Sequence, residues 1–284
     1  NGKEKTGVTM KSVRIKGDID LLSKNSLSIL ISQDGLSYSI YDIDDKKVQA
    51  LVSMQFDVNK SDEIRKFIED EGLKDAQFKN INVVYATRNV TIVPDAIFDE
   101  NSAESIYALN RKISPDDEIR YSRLPKSQTV IVFAIEKETS SLLDELFTRY
   151  NLYPQSYPLI ETGLTKTKIS EKPNRQRMLV QVFENFFEIL VIDKGQIVNY
   201  NTYNYKSAND ILYFIVNCFE QLGLSPEECE VAFSGFIEQD SLTGAGTRKS
   251  LFEEISLRTD SRQHYQIIAV APRKFSQVGQ KLGH

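Results

Sequence analysis

Two stretches of this sequence place a carboxylate in a short polar break between apolar runs. Residues 29–43 read ILISQDGLSYSIYDI, and residues 182–193 read VFENFFEILVID. The acids Asp34 and Glu184 lie 150 residues apart in a chain of 284. Asp-Gly between alternating strands is a strong hairpin signal, because glycine takes positive φ without steric cost. The layout poses a choice between two ordinary hairpins and one domain written twice, with a ligand cleft between the copies.

Other chemistry is thin. The run SLTGAGTRKS at 241–250 has glycines followed by Lys249-Ser250. A phosphate loop needs lysine directly after the last glycine, on a loop that leaves a strand. Here Thr247 and Arg248 intervene, so the segment reads as a loop entering a helix with Thr247 as N-cap. Such a helix end attracts anions, but this is not a Walker loop. Cys218 and Cys229 form no CxxC pair and read as small core residues. With His264 and His284 as the two histidines, a zinc site has almost no ligands to draw on. No G-x-S-x-G, H-E-x-x-H or G-x-G-x-x-G occurs. No catalytic residue and no metal ligand is assigned.

Apolar residues make up 40% and charged residues 26% of the chain, ordinary for a globular protein with room for two modest domains or one large one. A net charge of −5, without an aromatic-interleaved basic cluster, argues against a nucleic-acid partner. No run approaches the ~18 apolar residues that span a bilayer. The opening NGKEKTGVTMKSVRIKG is polar and lacks an apolar signal core. The expectation is a cytoplasmic protein with no membrane insertion, whose partner is an unidentified protein or small molecule.

The elements that must position the two acids repeat. Residues 27–33, 36–43 and 46–58 read as strands, 61–73 as a helix with Ile64, Phe67 and Ile68 on one face, and 82–87 as a strand. Residues 177–183, 186–193 and 195–205 again read as strands. Residues 207–224 follow as a helix, with Ser207 and Asp210 as an approximate capping box and Gly223 as its stop. A strand at 230–235 closes the second set. The unit is three strands, a helix and a strand, present twice. Between the sets, 90–94 and 129–136 read as strands, 99–112 and 139–150 as helices, and 152–160 as an extended segment broken by two prolines. Residues 247–258 and 264–271 supply a closing helix and strand. Asp42, Asp44 and Asp45 beside Lys46-Lys47 read as a solvated hairpin turn, and Tyr200, Tyr203 and Tyr205 as strand packing.

A duplicated three-strand meander, helix, strand, helix, strand resembles the actin-like ATPase superfamily, whose halves are ribonuclease H-like domains. The run NVVYATRNVTIVPDAIF at 82–98 is similar to the corresponding stretch of pilus-assembly and cell-division members. The whole chain resembles an uncharacterised Bacteroidetes family of unknown function with an actin-like ATPase fold. The resemblance implies an α/β fold of duplicated ribonuclease H-like domains, with mixed five-stranded sheets and flanking helices. Residues 1–26 would form an N-terminal extension, 27–164 the first lobe, 165–176 a polar linker and 177–284 the second lobe.

The resemblance also implies a test. Actin-like ATPases hold nucleotide phosphates in the first hairpin turn of each half, where an acid is followed by closely spaced glycines that let backbone N–H groups approach. The carboxylates organise a hydrated magnesium ion. The first turn here, Gln33-Asp34-Gly35-Leu36-Ser37, keeps one acid and one glycine. The second, Phe183-Glu184-Asn185-Phe186-Phe187, keeps an acid and no glycine. The adenosine-contacting segment corresponds to Phe233-Ser234-Gly235-Phe236, with one glycine of the usual pair. Candidate cleft residues are therefore Asp34, Gly35, Glu184, Asn185, Ser234 and Gly235. The expected function is a non-catalytic binding or scaffold protein with degenerate nucleotide motifs and no cofactor. One alternative is a divergent Mg-ATP-binding ATPase or small-molecule kinase; another is a pilus- or cell-division-type adaptor.

Overall fold

In a computed structural model of the protein, residues 13–16, 24–33, 35–54, 61–169, 175–183, 185–226 and 228–235 are described. The expected helix at 247–258, the expected strand at 264–271, the glycine-rich run at 241–250 and both histidines lie outside them. So do Asp34 and Glu184.

In chain order the first elements are β1 (Val13–Lys16), β2 (Asn25–Ser32), β3 (Gly35–Asp42), β4 (Lys47–Met54), α1 (Ser61–Asp70) and β5 (Asn80–Tyr85). Next come β6 (Val90–Pro94), two 3-10 turns, α2 (Ala103–Ala108), β7 (Asp117–Leu124), β8 (Thr129–Glu136) and α3 (Lys137–Leu146). β9 (Asn151–Pro154), α4 (Ser156–Ile169), β10 (Arg177–Val182), β11 (Phe186–Asp193), β12 (Gln196–Asn204), α5 (Ala208–Leu222) and β13 (Glu230–Gly235) complete the set. Two compact units emerge. The first takes its described residues from 1–91, 99–122 and 132–155, the second from 92–98, 123–131 and 156–284.

The sheet of the first unit runs β1-β4-β3-β2-β5-β9, with β5 and β9 parallel to β2 and the meander antiparallel. One face alternates Leu27, Ile29, Ile31, Leu36, Tyr38 and Ile40 onto Ile64, Phe67 and Ile68 of α1 and Leu142, Leu143 and Leu146 of α3. Each such side chain withdrawn from water contributes about 1.5–3 kcal/mol. The opposite positions include Ser26, Ser28, Leu30, Ser37 and Ser39, all half-buried. The sheet of the second unit runs β12-β11-β10-β13, with β13 parallel to β10. Its Met178, Val180, Val182, Phe187, Ile189 and Val191 pack on Ile211, Leu212, Ile215, Cys218 and Phe219 of α5. A third sheet has the order β6-β8-β7.

The two copies share one register. Setting Ser32 and Gly35 on Phe183 and Phe186 gives an offset of 151 residues. Leu27, Ile29 and Ile31 then fall on Met178, Val180 and Val182. The same offset carries Ile64 and Ile68 onto Ile215 and Phe219, and Gly72 onto Gly223. Both glycines sit in the left-handed region, φ +68° and +59°, and both close the same helix end. Leu73 N–H donates to Ile68 O and Leu224 N–H to Phe219 O, each at 3.0 Å. At the start of α5, the Asp210 carboxylate accepts from the backbone N–H groups of Ser207 and Lys206, the predicted cap in place.

One face is not repeated. Ser28, Ser39 and Tyr41 of the first copy correspond to Leu179, Leu190 and Ile192 of the second, which pack against Gly163 of α4. A Cβ at 163 would stand 2.8 Å from Ile192 Cδ1 and from Leu179 Cδ1, so the missing side chain lets the helix approach. β11, with seven consecutive buried residues, is covered on both faces.

Three sequence expectations change. β1 pairs with β4, so part of the N-terminal stretch belongs to the first sheet. Residues 152–160 are not one extended segment: Pro154 ends β9, and Pro158 falls in the first turn of α4, where a missing N–H breaks no helical bond. The helix expected at 99–112 shortens to Ala103–Ala108, after a 3-10 turn in which Asp99 accepts from Asn101 N–H.

Candidate functional site

Ser32 and Gly35 are the last ladder pair of the first hairpin, leaving residues 33–34 as the connection. The Ser32 hydroxyl donates to Gly35 O at 3.1 Å. Gly35 has φ +148°, backbone that a side chain rarely adopts. In the second hairpin Phe183 N–H donates to Phe186 O at 2.8 Å, leaving residues 184–185, with Asn185 exposed. By this register Asp34 corresponds to Asn185 and Glu184 to Gln33.

The second turn is packed with aromatic rings. Phe183 and Phe186 stack with centroids 4.6 Å apart, and both are buried. Tyr205 Oη donates to Phe183 O at 2.6 Å and pins the turn to the end of β12. Phe187 points the other way, into the core, where Tyr203, Tyr205 and Phe214 surround it at 5.4–5.9 Å. Burial, then the neighbouring Cys218 thiol, pushes the Tyr203 phenol up to about 12. A phosphate cradle needs successive free backbone N–H groups. The Phe183 N–H that flanks this turn is already bonded to Phe186 O.

Ser234 and Gly235 end β13. Gly235 lies opposite Val182 with φ +95°, and a Cβ there would sit 2.1 Å from Val182 O. Close backbone approach therefore demands this glycine whatever the ligand. Ser234 lies opposite Gln181, Gln181 opposite Glu188, and Glu188 opposite Thr202. This polar row crosses all four strands one position in from Gly235. Glu188 is fully buried, and Tyr200 Oη donates to its Oε2 at 2.6 Å. Sequence reasoning missed Gln181, Glu188 and Thr202. The signal available was a single acid inside the apolar run FFEILVID.

Asp42 and the two cysteines are held inside the fold. Asp42 is not the solvated turn residue its neighbours suggest: it is fully buried at the end of β3. Its carboxylate accepts from the N–H groups of Asp44 and Asp45 and from Gln49, and it pairs with Lys24 at 3.0 Å. The Asp45 N–H, then the Lys24 ammonium, hold it below the usual carboxylate range. Cys218 and Cys229 are free and buried, and burial pushes the Cys229 thiol up to about 12. Among the described residues no group of three His, Cys, Asp or Glu could hold a metal ion, and no helix is long and apolar enough to cross a membrane.

Comparison with known proteins agrees with this architecture. A Bacteroides thetaiotaomicron protein with an actin-like ATPase fold and unknown function matches at a TM-score of 0.77 and 24% identity, over 89% of this chain and 94% of its own. The PilM-PilN type IV pilus biogenesis complex matches at a TM-score of 0.52 and 12% identity, over 91% of this chain and 94% of its own. At such identities the likeness establishes the fold, which is actin-like. No curated protein matches the chain. The duplicated register, the paired hairpin turns and a family model matching residues 16–249 agree, and the chain belongs to the family described as protein of unknown function (DUF3822).

Proposed function

We propose that this protein is a non-catalytic binding or scaffold protein that uses an actin-like fold without nucleotide. The observation that carries this reading is the second hairpin turn. Its Phe183 N–H is bonded to Phe186 O, and the two rings fill the space beside it. Gly235, which the resemblance makes an adenosine contact, has a structural use against Val182. The occupant is a protein in preference to a small molecule. The same fold occurs in the PilM-PilN complex, and that likeness lends support at the level of fold alone.

The test is thermal unfolding of the full chain with and without millimolar Mg-ATP, Mg-ADP or Mg-GTP. A ligand of the native state stabilises it by RT ln(1 + [L]/Kd). The expected result is no shift. A shift that disappears in Asp34→Ala and Glu184→Ala would overturn the proposal in favour of a divergent ATPase or kinase.

A further inference from the structure

Helix α4 is gripped from two sides within the second unit. On one side Gly163 lies against Leu179 and Ile192 of the sheet. On the other, the turn at residues 125–128 between β7 and β8 reaches the helix through Lys126. Its ammonium lies 2.6 Å from Glu161 Oε2 and 3.0 Å from Thr165 Oγ1.

Several details make this more than a chance surface pair. Glu161 and Thr165 are four residues apart, one above the other on the helix face. The Thr165 hydroxyl donates to Glu161 O at 2.7 Å, which leaves its lone pairs for the ammonium. The Glu161 side chain is only 20% exposed, and its Oε1 is buried without a hydrogen-bond partner among the described residues. A half-buried carboxylate depends on its cation far more than an exposed one does. The turn itself is strained where Gln128 takes φ +54°. It is braced by Asp95 N–H donating to Gln128 O and by the Arg123–Asp95 ion pair, with Arg123 over the Phe98 ring. Those braces tie the turn to residues 95–98, whereas Lys126 ties it to α4.

We propose that the β7–β8 turn is a strap with Lys126 as its clasp: one charge holds the turn on α4, and removing that charge frees it. The test is amide hydrogen exchange on the full chain, comparing the wild type with Lys126→Met, which keeps most of the side-chain stem. The expected result is exchange about 10-fold faster across residues 123–131, with β10 and β11 unchanged. The swapped pair Lys126→Glu with Glu161→Lys restores most of the protection. Unchanged exchange at 123–131 in Lys126→Met overturns the proposal. So does faster exchange spread equally over β10 and β11, or a swapped pair no better protected than Lys126→Met.

Discussion

The rings of Phe183 and Phe186 lie 12° from parallel across the second hairpin turn, with Tyr205 bonded to the carbonyl of the first. Under the proposed function, the stack stands at the turn that the resemblance assigns to phosphate. It also makes the turn a part of the core.

Phe186→Ala is therefore expected to cost about 3–5 kcal/mol, as other deletions of buried aromatic rings do. Urea denaturation reads this directly. A loss below about 1 kcal/mol would show that the stack is incidental.

Gly235→Ala is expected to destabilise by about 3 kcal/mol, because the new Cβ meets backbone oxygen at a φ that alanine avoids. The midpoint falls equally with and without Mg-ATP. A stability change confined to nucleotide-containing samples would assign the glycine to a ligand instead.

Tyr107 is fully buried on α2, and its hydroxyl has no hydrogen-bond partner among the described residues. Leaving such a group unsatisfied costs about 1–3 kcal/mol. Tyr107→Phe is expected to raise stability by about 1 kcal/mol, the reverse of most core substitutions. Thermal or chemical unfolding checks the sign.

Asp42 sets part of the acid limb of stability. Its folded value is depressed by the Asp45 N–H and Lys24, so its contribution is fully present above the unfolded value of about 4. That contribution is lost as pH falls through the folded value. Asp42→Asn is expected to flatten the stability profile below about pH 4. A wild-type slope retained in the variant would assign the acid limb to other carboxylates.

Most of the duplication is legible in the sequence, for a local reason. β2, β3, α1, β10 and α5 each carry their own period, β11 is an apolar run interrupted only by Glu188, and Gly72 and Gly223 mark equivalent helix ends. β7 is not legible: Asp117, Glu118, Arg120 and Arg123 give it the look of polar surface, and only its neighbour in the sheet makes it a strand. The start of α4 is hidden by Pro154 and Pro158, which suggest extended chain until their places relative to the helix end are known. The site is less legible than the fold. Asp34 and Glu184 attract attention as acids in turns, yet the 151-residue offset sets Asp34 against Asn185 and Glu184 against Gln33. Glu188 hides inside an apolar strand, and only registration across four strands reveals the polar row around it.

Gly163 and the apolar trio it meets bear on how the chain is made. The residues of α4 leave the ribosome before any of β10 to β13, so the helix that covers the second sheet is synthesised ahead of the strands it will cover. A nascent sheet buried on both faces is an aggregation hazard while it waits for a later segment. Here the cover is already waiting when β10 and β11 pair. The first copy carries Ser28 and Ser39 where the second carries Leu179 and Leu190, so its second face presents less apolar surface while the chain is being made.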